Sequence, residues 1–175
     1  MRIEVENLTA AGEPFAHTYA EGELSLDEGR ARLAGETRVE GRASRKGDVI
    51  RLAGRISANV EVSCDRCLQA VRTPTEVEFE ESFTPPEEAS RPDTERELQR
   101  DDLHVSFYEG DAIDLGDLVR EQLLLALPGR FVCREDCKGL CPTCGADLNA
   151  ERCDCAQEET DPRWAALGKL KSRES

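Results

Sequence analysis

Residues 133–155 read CREDCKGLCPTCGADLNAERCDC and hold six of the eight cysteines in the chain. The other two, Cys64 and Cys67, form a Cys-x-x-Cys pair far upstream, in the sequence SCDRCL. Two cysteines that flank two residues can hold one metal ion from a tight turn, and tetrahedral zinc then needs two more sulfurs. The eight cysteines therefore predict two closed sites of four ligands each.

Pairing of sequence neighbours gives a division that uses every cysteine once. The first predicted site contains Cys64, Cys67, Cys133 and Cys137. The second contains Cys141, Cys144, Cys153 and Cys155, which lie within 15 residues. An alternative gives Cys137 to the second group, with a different fourth ligand. Two zinc ions are the expected cofactors, and an iron–sulfur cluster is the alternative for all-cysteine ligands.

No known catalytic pattern fits the chain around these cysteines. Cys137, Cys141 and Cys144 have the spacing of radical SAM enzymes, but the 31 residues that follow are too few for the barrel those enzymes need. Zinc deaminases need a His-x-Glu sequence, and neither His17 nor His104 begins one. A closed four-cysteine site has no open position for substrate. We therefore expect structural metals, no enzyme activity and no small-molecule substrate.

The start of the chain resembles no secretory signal, and no apolar stretch reaches the roughly 18 residues of a membrane helix. A cytoplasmic protein with no membrane contact is expected. Cytosolic thiols stay reduced, whereas a secreted chain would instead pair its cysteines as disulfides.

Apolar and polar side chains alternate from Ala31 to Ser63, on both sides of the turn RKGD at 45–48. A period of two predicts a long hairpin with one buried face. A second alternating run begins at Val71, so CDRCLQ is predicted to form the tip of a second hairpin. Glycines on the apolar face favour bends or bulges that coil the sheet.

The rest of the chain predicts few further elements. Residues 3–8 and 103–108 are predicted short strands, and 84–102 a charged linker. Asp114 is a predicted N-cap for the helix LGDLVREQLLLAL, whose apolar stripe would pack on the sheet. Asp161 and Pro162 predict a C-terminal helix.

These elements predict an α+β fold: a coiled antiparallel β-sheet with one packing helix, followed by a C-terminal cysteine-rich zinc-binding segment. The predicted domains are 1–127, which is β-rich, and 128–175, which holds the cysteine-rich segment and the C-terminal helix.

The formal net charge of −14 is spread unevenly. Residues 76–117 carry 15 acids and 3 bases, whereas residues 30–55 carry 8 bases and 3 acids. The candidate RNA-binding residues are the strand-face arginines Arg32, Arg38, Arg42, Arg51 and Arg55. Such a face could meet phosphates, and the alternative is an ordinary solvated face balanced by the acidic segment.

Four motifs occur in order: SCDRCL, IDLGDLVREQLLLALP, CREDCKGLCPTCGADLN with CDC, and DPRWAALGKLK. Together they resemble the YceD family, the large ribosomal RNA subunit accumulation proteins, from about Ala31 to Lys171. The resemblance implies a role in accumulation of large-subunit ribosomal RNA and in ribosome assembly. It also implies that this RNA, or pre-large-subunit particles, are the partners.

The favoured function is therefore a non-enzymatic, zinc-stabilised factor that supports large-subunit ribosomal RNA accumulation. Two alternatives stay open. One is a redox-sensing thiol protein that releases zinc on oxidation, and the other is a generic zinc protein-interaction module.

Overall fold

The computed structural model describes residues 1–26, 29, 31–85, 105–108, 110–155 and 163. The strands in this part of the chain are β1 (Arg2–Glu4), β2 (Glu13–Tyr19), β3 (Ala31–Leu33), β4 (Thr37–Lys46), β5 (Val49–Ser63), β6 (Ala70–Thr84), β7 (Val105–Phe107) and β8 (Ala112–Asp114). A 3-10 helix spans Val5–Asn7, and helix α1 spans Leu115–Ala126.

Two open sheets contain these strands. The larger sheet has the order β2-β4-β5-β6-β7, and β3 pairs with the end of β5 beyond β4. Its pairs are antiparallel except β6 with β7, which run parallel. The smaller sheet pairs β1 with β8. The expected antiparallel sheet is therefore confirmed apart from one short parallel strand.

Both predicted hairpins are present, and their registers are unbroken. Strand β4 pairs with β5 down to Lys46 opposite Val49, and β5 pairs with β6 up to Ser63 opposite Ala70. The glycines therefore mark no bulge in these hairpins. Gly41 lies opposite Gly54, and a Cβ on either residue would overlap a carbonyl oxygen of the partner strand. The coil of the sheet stays a prediction.

Helix α1 begins directly after Asp114, the predicted N-cap. The Asp114 carboxylate accepts a hydrogen bond from the backbone N–H of Gly116 at 2.8 Å. The helix side chains Leu118, Val119 and Leu123 are buried, but Leu125 is 72% exposed. The apolar stripe is thus narrower than the run of leucines suggested.

The hydrophobic core fills the space between the inner face of the larger sheet and helix α1. Its largest fully buried aliphatic side chains are Val39, Ile50, Leu52, Ile56, Val60, Leu115, Val119 and Leu123. Among the described helices none is long and apolar enough to cross a bilayer. Residues of β5 and β6 pack in this core, and the tip between these two strands carries Cys64 and Cys67.

Some predictions fell short or lie outside the described residues. The predicted strand at 3–8 is only Arg2–Glu4, and β2 was not predicted. Most of the predicted 84–102 linker, His104 and nearly all of the predicted C-terminal helix lie outside the residues that the structure describes. The division into domains 1–127 and 128–175 stays a prediction.

Candidate metal centre

The sulfur atoms of the eight cysteines gather into two groups of four. One group, here the hairpin cluster, contains Cys64, Cys67, Cys133 and Cys137. The other, the loop cluster, contains Cys141, Cys144, Cys153 and Cys155. Within each group all four Sγ atoms lie within 4.8 Å of one another, so each group could hold a metal ion. The grouping matches the predicted division, and Cys137 lies with the hairpin cluster.

The sulfur spacing in the hairpin cluster fits a four-coordinate metal. The Cys64 and Cys137 sulfurs are 3.9 Å apart, and those of Cys67 and Cys133 are 3.7 Å apart. Four sulfurs around an ion at bonds of about 2.3 Å would lie about 3.8 Å from each other in a regular tetrahedron.

Each cluster takes its first two ligands from one turn, and the two turns have the same pattern of backbone hydrogen bonds. In the hairpin cluster the N–H of Leu68 donates to the Cys64 carbonyl at 2.9 Å, and the Cys64 N–H donates to the Gln69 carbonyl at 2.9 Å. In the loop cluster Gly145 donates to Cys141 at 2.9 Å, and Cys141 donates to Ala146 at 2.8 Å. The two Cys-x-x-Cys sequences therefore fold into equivalent knuckles.

Backbone N–H groups point at the first sulfur of each knuckle. The N–H groups of Arg66 and Cys133 both lie 3.4 Å from the Cys64 sulfur. A hydrogen bond from the Cys67 N–H is the main cause that lowers the pKa of Cys64 to about 6. The Cys144 N–H likewise lowers the pKa of Cys141 to about 6. Both first thiols are thus prepared to ionise, as metal ligation requires.

Other cysteines in each cluster hold their protons more tightly. Burial raises the pKa of Cys133 to about 12, and a hydrogen bond with Cys144 raises the pKa of Cys155 to about 12. Four adjacent thiols cannot all ionise unless a cation compensates their charge. This donor chemistry fits a resident metal cation.

The hairpin cluster joins distant parts of the chain. Cys64 and Cys67 lie in the tip between β5 and β6, whereas Cys133 and Cys137 follow helix α1. The Phe131 N–H donates to the Asp65 carboxylate at 2.8 Å, and the Asp65 N–H donates to the Phe131 carbonyl at 2.9 Å. The tip is therefore held to the later segment by hydrogen bonds as well as by the cluster.

Arg66 and Asn149 are two site residues whose role the sequence did not reveal. Arg66 donates from its side chain to the Cys137 carbonyl at 2.7 Å. The Asn149 side-chain nitrogen lies 3.6 Å from the Cys137 sulfur. In the sequence Asn149 is only a residue type common in turns, between Cys144 and Cys153. Spacing alone does not predict its contact with the other cluster.

The five predicted RNA-contact arginines lie on the outer, solvent-facing side of the larger sheet. Three pair with glutamates on adjacent strands: Arg32 with Glu61, Arg51 with Glu80 and Arg55 with Glu78. Arg38 pairs with Glu40 on its own strand, and Arg42 donates to the Gly12 carbonyl at 2.7 Å.

This outer face carries both signs of charge. Glu61 accepts hydrogen bonds from Arg72 and Arg32, which lower the pKa of its carboxyl. The glutamates Glu76, Glu78 and Glu80 are exposed along β6. The sequence of residues 30–55 predicts a basic strand region, but the pairing of β5 with β6 places glutamates beside its arginines.

His17 lies on β2 and contacts the ring of Tyr19 in an edge-to-face arrangement at 4.4 Å between centroids. Its Nε2 atom is buried and has no hydrogen-bond partner among the described residues. Burial of the neighbouring Tyr19 raises the pKa of that phenol to about 12. The Tyr19 phenol therefore stays protonated at physiological pH, and its ring packs edge to face with that of His17.

Comparison with known proteins identifies one matching family and several relatives. Residues 52–171 match the family described as large ribosomal RNA subunit accumulation protein YceD. A Mycobacterium tuberculosis protein is 34% identical over 87% of this chain and 68% of its own length. YlbN of Bacillus subtilis is 31% identical over 89% of this chain and 86% of its own length.

A third relative carries a functional name. The chloroplastic large ribosomal RNA subunit accumulation protein YCED homolog 1 of Arabidopsis thaliana is 37% identical over 42% of this chain and 22% of its own length. No solved structure matches the chain.

Proposed function

The chain belongs to the YceD family of large ribosomal RNA subunit accumulation proteins, and from that premise we propose that it is a non-enzymatic, zinc-stabilised factor in ribosome assembly. It would support accumulation of large-subunit ribosomal RNA by binding that RNA or pre-large-subunit particles. The family name describes an accumulation protein rather than an enzyme.

The observation that carries the metal part of the proposal is the presence of two closed four-sulfur groups in one small chain. Zinc favours such tetrahedral sites, and a bound zinc would stabilise the fold without redox chemistry. An iron–sulfur cluster places several atoms between its cysteines, so it would need wider sulfur spacing than the 3.7–3.9 Å of the hairpin cluster. Two zinc ions per chain are therefore proposed.

The two clusters would act on the fold, and the contact with RNA would lie elsewhere. We place that contact on the outer face of the larger sheet, at Arg32, Arg38, Arg42, Arg51 and Arg55. Exposed ion pairs contribute only about 0–1 kcal/mol, so phosphates can replace the glutamate partners. The neighbouring acids would limit binding to a few phosphates and disfavour nonspecific coating of nucleic acid.

A matched pair of variants tests this placement. Arg42→Gln/Arg55→Gln removes two arginines of the face, and Arg2→Gln/Arg130→Gln removes two exposed arginines outside it. The first variant should bind large-subunit RNA more weakly, and its slope of log affinity against log salt should fall by about 0.7–0.9 for each phosphate that it no longer binds. The control should bind like the unaltered protein.

The assembly role has its own measurement. Deletion of the gene should lower the ratio of large-subunit to small-subunit ribosomal RNA, and the purified protein should sediment with pre-large-subunit particles. An unchanged RNA ratio together with absence from those particles would reject the assembly role. Equal RNA binding by the two arginine variants would reject only the proposed face.

A redox-sensing role is the second candidate, and the exposure of Cys144 favours it. An exposed thiolate ligand is accessible to oxidants, which would break its bond to the metal. Mild peroxide should then release zinc from the loop cluster within minutes while the hairpin cluster keeps its ion. Retention of both ions under this treatment would exclude the sensor.

A further inference from the structure

Three residues, Lys138 to Leu140, link the last cysteine of the hairpin cluster to the first cysteine of the loop cluster. Arg66, in the hairpin tip, accepts a hydrogen bond on its carbonyl from the Leu140 N–H at 3.0 Å. The Gly139 carbonyl accepts from the Leu148 N–H at 3.0 Å. The link is therefore held from one side by the hairpin tip and from the other by the loop cluster.

Gly139 shows how closely the link packs on the hairpin tip. Its φ of +78° is a left-handed conformation that favours glycine. A Cβ at this position would also lie 2.9 Å from the Arg66 carbonyl oxygen. The two clusters thus share a rigid connection rather than a flexible spacer.

Asn149 contacts both sides of this connection through its side chain. Its Oδ1 atom accepts from the Lys138 N–H at 2.8 Å and from the Arg134 guanidinium at 2.9 Å. Its Nδ2 atom donates to the Asp147 carboxylate at 2.7 Å and lies 3.6 Å from the Cys137 sulfur. Two donors at Oδ1 and an anionic acceptor at Nδ2 determine which way the amide faces.

The contact between Asn149 and the Cys137 sulfur joins the two clusters, because Asn149 belongs to the segment of the other cluster. Asn149 lies between Cys144 and Cys153, so its backbone is part of the loop that the loop cluster closes. Its side chain nevertheless donates to a sulfur of the hairpin cluster. Hydrogen bonds to ligand atoms fix their orientation and stabilise their charge in metal sites.

We propose that Asn149 is a positioning residue that couples the two clusters, so that the protein binds its two metal ions cooperatively. The loop cluster orders the loop of Asn149, and Asn149 then orients the Cys137 thiolate for the hairpin cluster. The coupling is reciprocal, because two linked binding equilibria change each other by the same factor. This inference rests on the two metal ions of the proposed function.

The first test substitutes Asn149 alone. Asn149→Asp keeps the Oδ1 acceptor but replaces the N–H donor with an oxygen that repels the Cys137 thiolate. Asn149→Ala removes both groups, and Asn59→Ala, at an exposed position of β5, is the control. Zinc affinity of each variant is measured by competition with a chromophoric chelator. Both Asn149 variants should hold zinc in the hairpin cluster about 10- to 100-fold less tightly, with two zinc ions still bound at saturation.

The second test removes the loop cluster by Cys144→Ser/Cys153→Ser. One zinc ion per chain should remain, and its affinity should fall by a similar factor, because Asn149 is no longer held in place. Addition of Asn149→Ala to this variant should weaken zinc binding little further, since the two changes act through one interaction. Circular dichroism reports whether the sheet is intact in each variant.

Three results would overturn the coupling. Equal zinc affinity of the Asn149 variants and Asn59→Ala would remove the role of Asn149. Full additivity of Asn149→Ala with removal of the loop cluster would show that the clusters are independent. Both results leave the metal sites standing, whereas fewer than two zinc ions in the unaltered protein would also reject the metal part of the proposed function.

Discussion

The hairpin cluster and the loop cluster begin with the same knuckle but differ in what they hold together. Cys64 and Cys137 of the hairpin cluster are 73 residues apart and both are almost fully buried. The loop cluster closes within 15 residues, and its Cys144 is exposed. The same local geometry therefore serves a tertiary connection in one case and a local loop in the other.

Chain entropy gives this difference a magnitude. The entropic cost of closing a loop grows as about 1.5RT times the logarithm of its length. A metal that links residues 73 apart therefore offsets about 1.4 kcal/mol more of this cost than one that closes 15 residues. Its removal also opens the small apolar group that Cys64, Cys67 and Cys137 form with Val132 and Leu140. The hairpin cluster should therefore dominate stability.

Removal of one ligand from each cluster should give the largest contrast. Cys137→Ser should lose the hairpin metal and lower the free energy of unfolding by about 4 kcal/mol or more, the range of lost metal sites. Cys155→Ser should lose the loop metal and affect the rest of the fold mainly through Asn149. If the hairpin metal then binds roughly 10- to 100-fold less tightly, the free energy of unfolding should fall by about 1.4–2.7 kcal/mol. Urea denaturation of both variants gives the two values, and equal losses would contradict the contrast.

Exchange of the residues at the left-handed position of the two knuckles should have a smaller effect. Leu68 has a φ of +61° and Gly145, its equivalent, a φ of +76°. Gly145→Leu should cost about 1–2 kcal/mol, the usual cost of this conformation for a side chain with a Cβ. Leu68→Gly should relieve the same cost, and the entropy that glycine adds to the unfolded chain should cancel about 0.4–1 kcal/mol of that gain. Thermal unfolding of the metal-loaded variants measures both changes.

The sign of the Leu68 change tests the equivalence of the knuckles directly. Leu68 is the only residue other than glycine with positive φ among the described residues, and its side chain is 65% exposed. A marked fall in the stability of Leu68→Gly would show that this side chain makes contacts that outweigh the strain.

The pH dependence of the metal-stripped protein is a property that both knuckles should share. The folded state lowers the pKa of Cys64 and Cys141 from 9.0 to about 6. A thiol with a depressed folded pKa contributes its full stabilisation above the unfolded value, and that contribution is lost as pH falls through about 6. Unfolding free energy of the stripped protein should therefore rise between about pH 6 and pH 9.

Serine variants assign this pH dependence to individual thiols. Cys64→Ser and Cys141→Ser should each remove part of the rise, and Asn59→Ala should remove none. Denaturation of metal-stripped samples at a series of pH values measures the slope. A rise that survives both serine substitutions would show that other groups cause it.

Much of the candidate site was predictable from spacing. Cysteines that flank two residues must share a turn, and Cys64 and Cys67 follow a strand whose alternation is clear, so the tip and the two groups of four could be predicted. Asp114 and Pro128 similarly bound helix α1, because a cap and a proline act on the nearest backbone. These features depend on neighbours within a few residues.

Other features depend on contacts between distant residues and could not be predicted. Strand β2 has weak alternation and is ordered by its pairing with β4. The glutamates beside Arg51 and Arg55 come from β6, so the charge of the outer face follows from the pairing register. Leu125 belongs to a run of leucines, yet it is exposed because the helix presents only one side to the sheet.

Local periodicity and ligand spacing, read from the sequence alone, specify the two hairpins and the capped helix and favour two groups of four cysteines. The place of Cys137 in the hairpin cluster, and the contact of Asn149 with its sulfur, depend on the tertiary fold. The fold of the loop around the link brings the Asn149 side-chain nitrogen within 3.6 Å of the Cys137 sulfur, and spacing in the sequence does not predict a contact between residues of different clusters.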